Sequence, residues 1–202
     1  MRVDQCIGCK DFPCLDVRHE NYYIPPIDVE PEKIHTILIS EASSENLNDH
    51  YYAGGSPLFQ QTTLQAFQST GMAVDSFANL LQLGIYFTTA VKCGKTGYGI
   101  KSATINTCSE ILATELSLFS KVKSFLLMGD VAIKAINAIS RREGAGRAIP
   151  TGSTYKIRGG EFYFREARAF PSYLQVGPSF GIEKSKQRMI GEEIAAAMRL
   201  WE

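Results

Sequence analysis

The chain has 202 residues, 45% of them hydrophobic and 21% charged, with 21 basic side chains balancing 21 acidic ones. That length and apolar content suit one globular domain with a full core, so residues 1–202 read as a single domain with a cysteine-containing N-terminal segment. No run approaches the roughly 20 apolar residues of a membrane span, residues 1–30 lack the apolar stretch of a secretory signal, and an odd set of 5 Cys argues against a secreted disulfide scaffold, so a cytoplasmic protein with no membrane partner is expected.

Residues 34–40 form a β-rich run that follows an acidic, Pro-containing segment and ends in small polar residues, as a buried strand does where it delivers its carboxyl end into a loop. That loop runs from Glu41 to Pro57 and contains Gly54-Gly55. Residues 59–70, with Leu64, Phe67 and the following Gly71, predict a helix stopped by glycine. Residues 85–91 predict a second strand. In residues 103–119 the apolar positions Ile105, Cys108, Leu112, Leu116 and Phe119 recur every three or four residues, the period of an amphipathic helix. Residues 122–128 predict a third strand, and Gly129-Asp130 turns it into a helix from about Val131 to Ile139. Residues 155–164 predict a hairpin about Gly159-Gly160. Residues 167–169 predict a last short strand feeding the loop at Pro171, and residues 184–200 a closing helix with Ile190, Ile194 and Met198 on one face. Strands alternating with helices predict a three-layer α/β/α sandwich around a central, mostly parallel sheet. Ligands gather at the carboxyl ends of such strands, which points to the loops after Ser40, Val91 and Ala169.

The cysteines fall into two groups. Cys6 and Cys9 form a C-x2-C with Cys14 just beyond, while Cys93 and Cys108 lie far downstream. A C-x2-C turn brings two thiolates to one side of the chain, and soft thiolates select zinc or an iron–sulfur cluster. Cys93 ends a predicted strand and Cys108 lies on the next helix, so the connection can fold back and join them. A small apolar core residue is the other reading of Cys108. The four ligands are then Cys6, Cys9, Cys93 and Cys108, or a set in which Cys14 replaces one of the first two; the C-x2-C spacing favours Cys6 and Cys9.

Two loops carry candidate chemistry. Glu41 stands at the mouth of the first strand, where a carboxylate can orient water or face a cation, and the small residues Ala42 and Ser43 let a ligand approach the backbone. Taken alone it is a polar loop with a solvated Glu41. Phe170-Pro171-Ser172-Tyr173-Leu174 is stiff and offers a hydroxyl and amides to a phosphate, though alone it is only a turn. His19, His35 and His50 match no metal or Ser-His-Asp pattern, and read as structural or exposed.

In their order along the chain these pieces resemble the uracil-DNA glycosylase superfamily, in particular its iron–sulfur branch (families four and five). The series runs from Cys6-x2-Cys9 through the Glu41 loop and Gly55-x-Pro57-Leu58 to Thr89-Ala90-Val91-Lys92-Cys93. It continues with Cys108, then Leu127-Met128-Gly129-Asp130-Val131-Ala132, and ends at Pro171-Ser172-Tyr173-Leu174. The resemblance implies a monomeric, DNA-binding enzyme with that sandwich fold and a structural 4Fe-4S cluster held by Cys6, Cys9, Cys93 and Cys108. It implies that a uracil or other altered base, flipped out of the stack, loses its N-glycosidic bond by hydrolysis. Glu41 falls at the acidic position of the first motif, with Ala42 and Ser43 beside it, and Leu58 or Phe59 falls where an aromatic stacks on the base. Thr89 stands where the family carries a base-reading Asn, and Phe170-Pro171-Ser172 where it carries His-Pro-Ser, Ser172 then gripping a phosphate. Thr89 lacks the two-way amide of Asn, Phe170 donates nothing, and Ser43-Ser44 replaces Pro-Gly. These departures make a non-catalytic, iron–sulfur, nucleic-acid-binding member of the same fold the alternative reading. Charge is uneven too: residues 1–60 hold 4 basic against 10 acidic groups and residues 141–202 hold 11 against 7, a mildly basic C-terminal third that a phosphate backbone or plain solvent would suit.

Overall fold

A computed structural model of the chain describes residues 1–54, 57–174 and 183–201; Gly55 of the expected series lies outside them. Six strands, β1 (Val17–Arg18), β2 (Thr36–Ser43), β3 (Ile85–Lys95), β4 (Ser124–Met128), β5 (Phe162–Phe164) and β6 (Ala167–Ser172), form one sheet in the order β1-β3-β2-β4-β6-β5. The four inner strands run parallel, and the short edge strands β1 and β5 pair antiparallel with β3 and β6. The helices are α1 (Leu58–Gln68), α2 (Phe77–Gln82), α3 (Ser102–Leu116), α4 (Asp130–Arg142), α5 (Thr154–Ile157) and α6 (Lys184–Met198).

The period-2 alternation of side chains divides the core between the two sheet faces. Ile37, Ile39, Phe125 and Leu127 pack with Ile105 and Leu112 of α3 and with Ala132 and Ile136 of α4. Leu38, Phe87, Leu126 and Met128 pack on the other face with Phe67 of α1, Leu80 of α2, and Ile190 and Ile194 of α6. Burial on both faces explains why the inner strands read as near-continuous apolar runs rather than alternating ones. The molecule is thus mixed α/β with a mostly parallel central sheet, compatible with a three-layer sandwich. Among the described residues no helix is long and apolar enough to cross a membrane.

Three details differ from expectation. β2 continues past Ser40 to Ser43, so Glu41 is a strand residue rather than a loop residue. β3 runs on to Lys95: Ala42 pairs with Val91 but Ser43 with Gly94, so Lys92 and Cys93 form a bulge. The hairpin lies further along than expected. Residues 154–157 are the short helix α5, and the antiparallel pair is β5 with β6, turning at Arg165-Glu166. The helix α2, capped by the Ser76 hydroxyl accepting from the Asn79 amide at 3.3 Å, and the two-residue β1 were not foreseen.

Candidate functional site

Strands β3 and β4 flank β2 on opposite sides, so the chain reverses its direction of travel across the sheet there, and a crevice opens at the carboxyl ends. A cavity of about 420 Å³ occupies this end of β2 and β3. Ser40, Glu41, Ala42 and Ser43 line it from β2, and Thr88 and Thr89 from β3. Leu58 and Phe59 close it from the start of α1, and Leu174 from beyond β6. Leu58 is 49% exposed and Phe59 half-buried, its ring 4.5 Å from that of Tyr51. The expected catalytic Glu41 and five of the expected substrate residues, Ala42, Ser43, Leu58, Phe59 and Thr89, therefore meet around one space.

Phe170 and Ser172 do not line it. Both side chains lie on the sheet face covered by α6. Phe170 is a core residue with the Arg168 guanidinium 5.4 Å from its ring centroid. Ser172 is 0% exposed and donates to Glu193 Oε2 at 2.6 Å, while Arg158 Nε donates to Glu193 Oε1 at 2.6 Å. Burial pushes the Glu193 carboxyl up, and its bonds from Ser172 and Arg158 oppose that shift. Ser172 ties the last strand to α6 and has no open face for a phosphate.

Glu41 is held from two sides. Lys95 Nζ donates to Oε2 at 2.6 Å, and the Val131 amide, at the N-terminus of α4, points at Oε1 from 3.5 Å. The chain passes from β4 into α4 through Gly129 alone, at φ 97°; a Cβ there would stand 2.7 Å from Glu41 Oε1. An ammonium and a helix N-terminus both attract a carboxylate, and together they fix it in the crevice between β2 and β4.

The segment between β2 and α1 supplies residues that motif reasoning passed over. Asp49, His50, Tyr51 and Tyr23 all line the cavity. The His50 ring lies flat on Tyr23, with centroids 3.8 Å apart and planes 6° from parallel, and its Nδ1 faces Ser43 Oγ at 3.4 Å. Burial lowers the proton affinity of His50, so the ring is neutral near pH 7, and it pushes the Tyr23 phenol up to about 12. Burial also raises the Tyr51 phenol, against the nearby Ser40 hydroxyl. Yet Asp49 Oδ1, His50 Nε2 and the Tyr51 hydroxyl have no hydrogen-bond partner among the described residues, although all three atoms are buried. The segment has no hydrophobic period, and a lone His carries no motif, so nothing in the sequence marked it.

The cysteines sit behind the cavity, where the N-terminal segment crosses β3 and α3. All five are free thiols. Cys93 and Cys108 are buried in one core cluster, against which Ile7, Phe12, Cys14 and Tyr22 pack. The Tyr22 hydroxyl accepts from the Cys9 amide at 2.8 Å, and His19 Nε2 lies 2.7 Å from the Cys14 carbonyl oxygen. Burial pushes the Cys93 thiol up to about 12, and like-charge repulsion from Cys108, Cys9 and Cys14 adds to it. Burial likewise raises Cys108, with Cys14 and Cys9 adding to the shift and the Lys92 backbone amide opposing it. Four sulfurs are thus within electrostatic reach of one another. Cys6 is not among these leading charges; it is exposed and its thiol donates to the Arg2 carbonyl oxygen at 3.3 Å. Cys14, the alternative ligand to Cys6 or Cys9, packs against the core cluster that holds Cys93 and Cys108. Among the described residues no three His, Cys, Asp or Glu side chains close to the spacing of a single ion. One zinc draws its thiolates to about 2.3 Å from the metal. An all-thiol donor set is the kind that iron–sulfur clusters use.

Between the cysteines and the cavity runs a fully buried polar strut. Lys92 and Glu115 are both 0% exposed, and Lys92 Nζ donates to Glu115 Oε2 at 2.5 Å, Thr88 Oγ1 at 2.7 Å and the Thr89 carbonyl oxygen at 2.7 Å. Glu115 Oε1 accepts from Tyr86 at 2.7 Å and from Thr88 at 2.9 Å. The ion pair joins α3, which carries Cys108, to the strand segment that forms the cavity wall. No protein-family model and no curated protein compared with the chain matches it.

Proposed function

We propose that the chain is an iron–sulfur member of the uracil-DNA glycosylase superfamily that takes a flipped-out uracil or other altered base into the cavity and hydrolyses its N-glycosidic bond. The observation that carries this reading is the meeting of Glu41, Leu58, Phe59 and Thr89, far apart in sequence, around one cavity at the carboxyl ends of parallel strands. Further support comes from the four neighbouring thiols of Cys9, Cys14, Cys93 and Cys108. Those four would hold a 4Fe-4S cluster, which when bound would cross-link the N-terminal segment to β3 and α3.

In hydrolysis the oxygen of water bonds to C1′ as the C1′–N bond breaks; the bonding pair leaves with the base nitrogen, and the water proton ends on the base. Positive charge develops on the sugar and negative charge on the base. Glu41, fixed by Lys95 and the start of α4, faces the sugar's charge and orients the water. Phe59 and Leu58 flank the ring, and Thr89 offers its hydroxyl. With Phe170 in the core, the histidine donor of the family has no counterpart at that position; losing one such donor typically lowers rates about 10²–10³-fold.

The second reading, a non-catalytic nucleic-acid-binding protein, is favoured by the same Phe170 and by the engagement of both Glu41 oxygens. Glu41→Ala separates the two. Under the first, excision by the variant falls about a hundredfold or more while oligonucleotide binding holds. Under the second, neither protein cleaves any altered base, and both bind with an affinity that falls steeply with salt.

A further inference from the structure

Three buried polar atoms that have no partner among the described residues, all on side chains lining one cavity, are costly. Each idle group forfeits its hydration, and native proteins leave few of them. We propose that Asp49, His50 and Tyr51 read the bound base, and that they select a ring presenting an N–H beside a carbonyl, the lactam edge of hypoxanthine, xanthine or uracil. This inference rests on the glycosylase reading and names the recognition residues for it.

The chemistry of each atom sets its demand. A carboxylate oxygen only accepts, so Asp49 Oδ1 requires an N–H from the ligand. The Tyr51 phenol stays protonated at neutral pH and donates, so it requires an acceptor. The neutral His50 ring takes the role that Ser43 leaves to it. When the Ser43 hydroxyl donates to Nδ1, the proton sits on Nε2, which is then a second donor. Two donors and one acceptor match a lactam, whose carbonyl oxygen has two lone pairs and whose neighbouring nitrogen carries one hydrogen. Adenine presents an amino group beside an acceptor nitrogen that has a single lone pair, which leaves one protein donor idle. Stacking on Tyr23 holds the His50 plane before the ligand arrives. The cavity volume is within the usual range of roughly 300–1,000 Å³ for small-molecule sites, with space for a two-ring base. These residues would supply the donors that Thr89 and Phe170 lack.

The test uses the full chain and oligonucleotides whose target nucleotide carries a 2′-fluoroarabino sugar, which resists hydrolysis, so that binding is read apart from cleavage. Probes with hypoxanthine, xanthine or uracil are compared with adenine by fluorescence anisotropy. The wild type is expected to prefer one or more lactam probes at least about tenfold. Tyr51→Phe removes only the hydroxyl and keeps the ring packing, so the variant stays folded with a melting temperature close to wild type, whereas its lactam binding falls about tenfold. Asp49→Asn removes the acceptor charge and reduces the lactam preference by a similar factor. Lactam-selective binding that both folded variants retain overturns the assignment of residues 49–51 and leaves the glycosylase reading standing. Equal binding of lactam and amino probes overturns the selection rule. Failure to bind any probe overturns the glycosylase reading together with this inference.

Discussion

His50 lies in contact with Tyr23 and Ser43, 5% exposed, and its proton affinity in the fold is below the ordinary value of 6.5. The unfolded chain therefore binds more protons than the native one as pH falls through that value. The stability tied to a neutral His50 is complete above about pH 6.5 and is lost as pH drops through the lower native value. Melting temperatures at about pH 7.5 and about pH 5.5 should show a larger acid drop for the wild type than for His50→Gln. Equal drops would mean that His50 is not held neutral. This residue also marks where sequence reasoning fell short. Glu41 drew attention because it follows a β-rich run, a place recognisable from period and punctuation, whereas Phe59 and Thr89 came only from the family resemblance. His50 and its neighbours reach the cavity through an irregular connection whose path depends on Tyr23, far away in sequence.

At the scale of elements, the β3 bulge turns Lys92 inward, where it meets Glu115 of α3. Removing one partner of a buried pair leaves an uncompensated charge, at a typical cost of about 3–5 kcal/mol. Glu115→Ala should lose stability on that scale in denaturant unfolding. The double change Lys92→Met with Glu115→Gln should recover much of the loss, because no lone charge stays behind. A double variant no better than the single one would show that Tyr86 and Thr88, not the charge, need Glu115. The parallel strands and their helices were legible from alternation alone. The hairpin was misplaced for a physical reason: Gly159-Gly160 has the composition of a tight turn, yet Gly159, at φ 79°, follows α5 instead. The true turn places Arg165 at φ 53°, a conformation uncommon for a side chain of that size. Its guanidinium is held by Glu143 at 2.8 Å and lies 5.2 Å from the Phe164 ring centroid. Glu143 stands just past the end of α4, far away in sequence, so no local pattern announces that contact.

Across the whole molecule, the sheet order brings the cavity and the cysteines to neighbouring parts of β3, with the Lys92–Glu115 strut between them. A cluster at Cys9, Cys14, Cys93 and Cys108 would further secure an N-terminal segment that pairs with the sheet through the two residues of β1 and the Tyr23 amide. After anaerobic purification, Cys14→Ser should lose most of its iron and sulfide, while Cys6→Ser should keep a content close to wild type. The reverse pattern would return Cys6 to the ligand set. The central claim is that the cavity accepts an altered base and releases it from DNA. Its most direct test is to incubate the anaerobically purified wild type with oligonucleotides containing uracil, hypoxanthine or xanthine, alongside undamaged controls, and to look for alkali-labile strand breaks. The account predicts breaks at one or more of the altered bases and none in the controls. No break at any altered base, under conditions where the protein binds the same oligonucleotides, would contradict it.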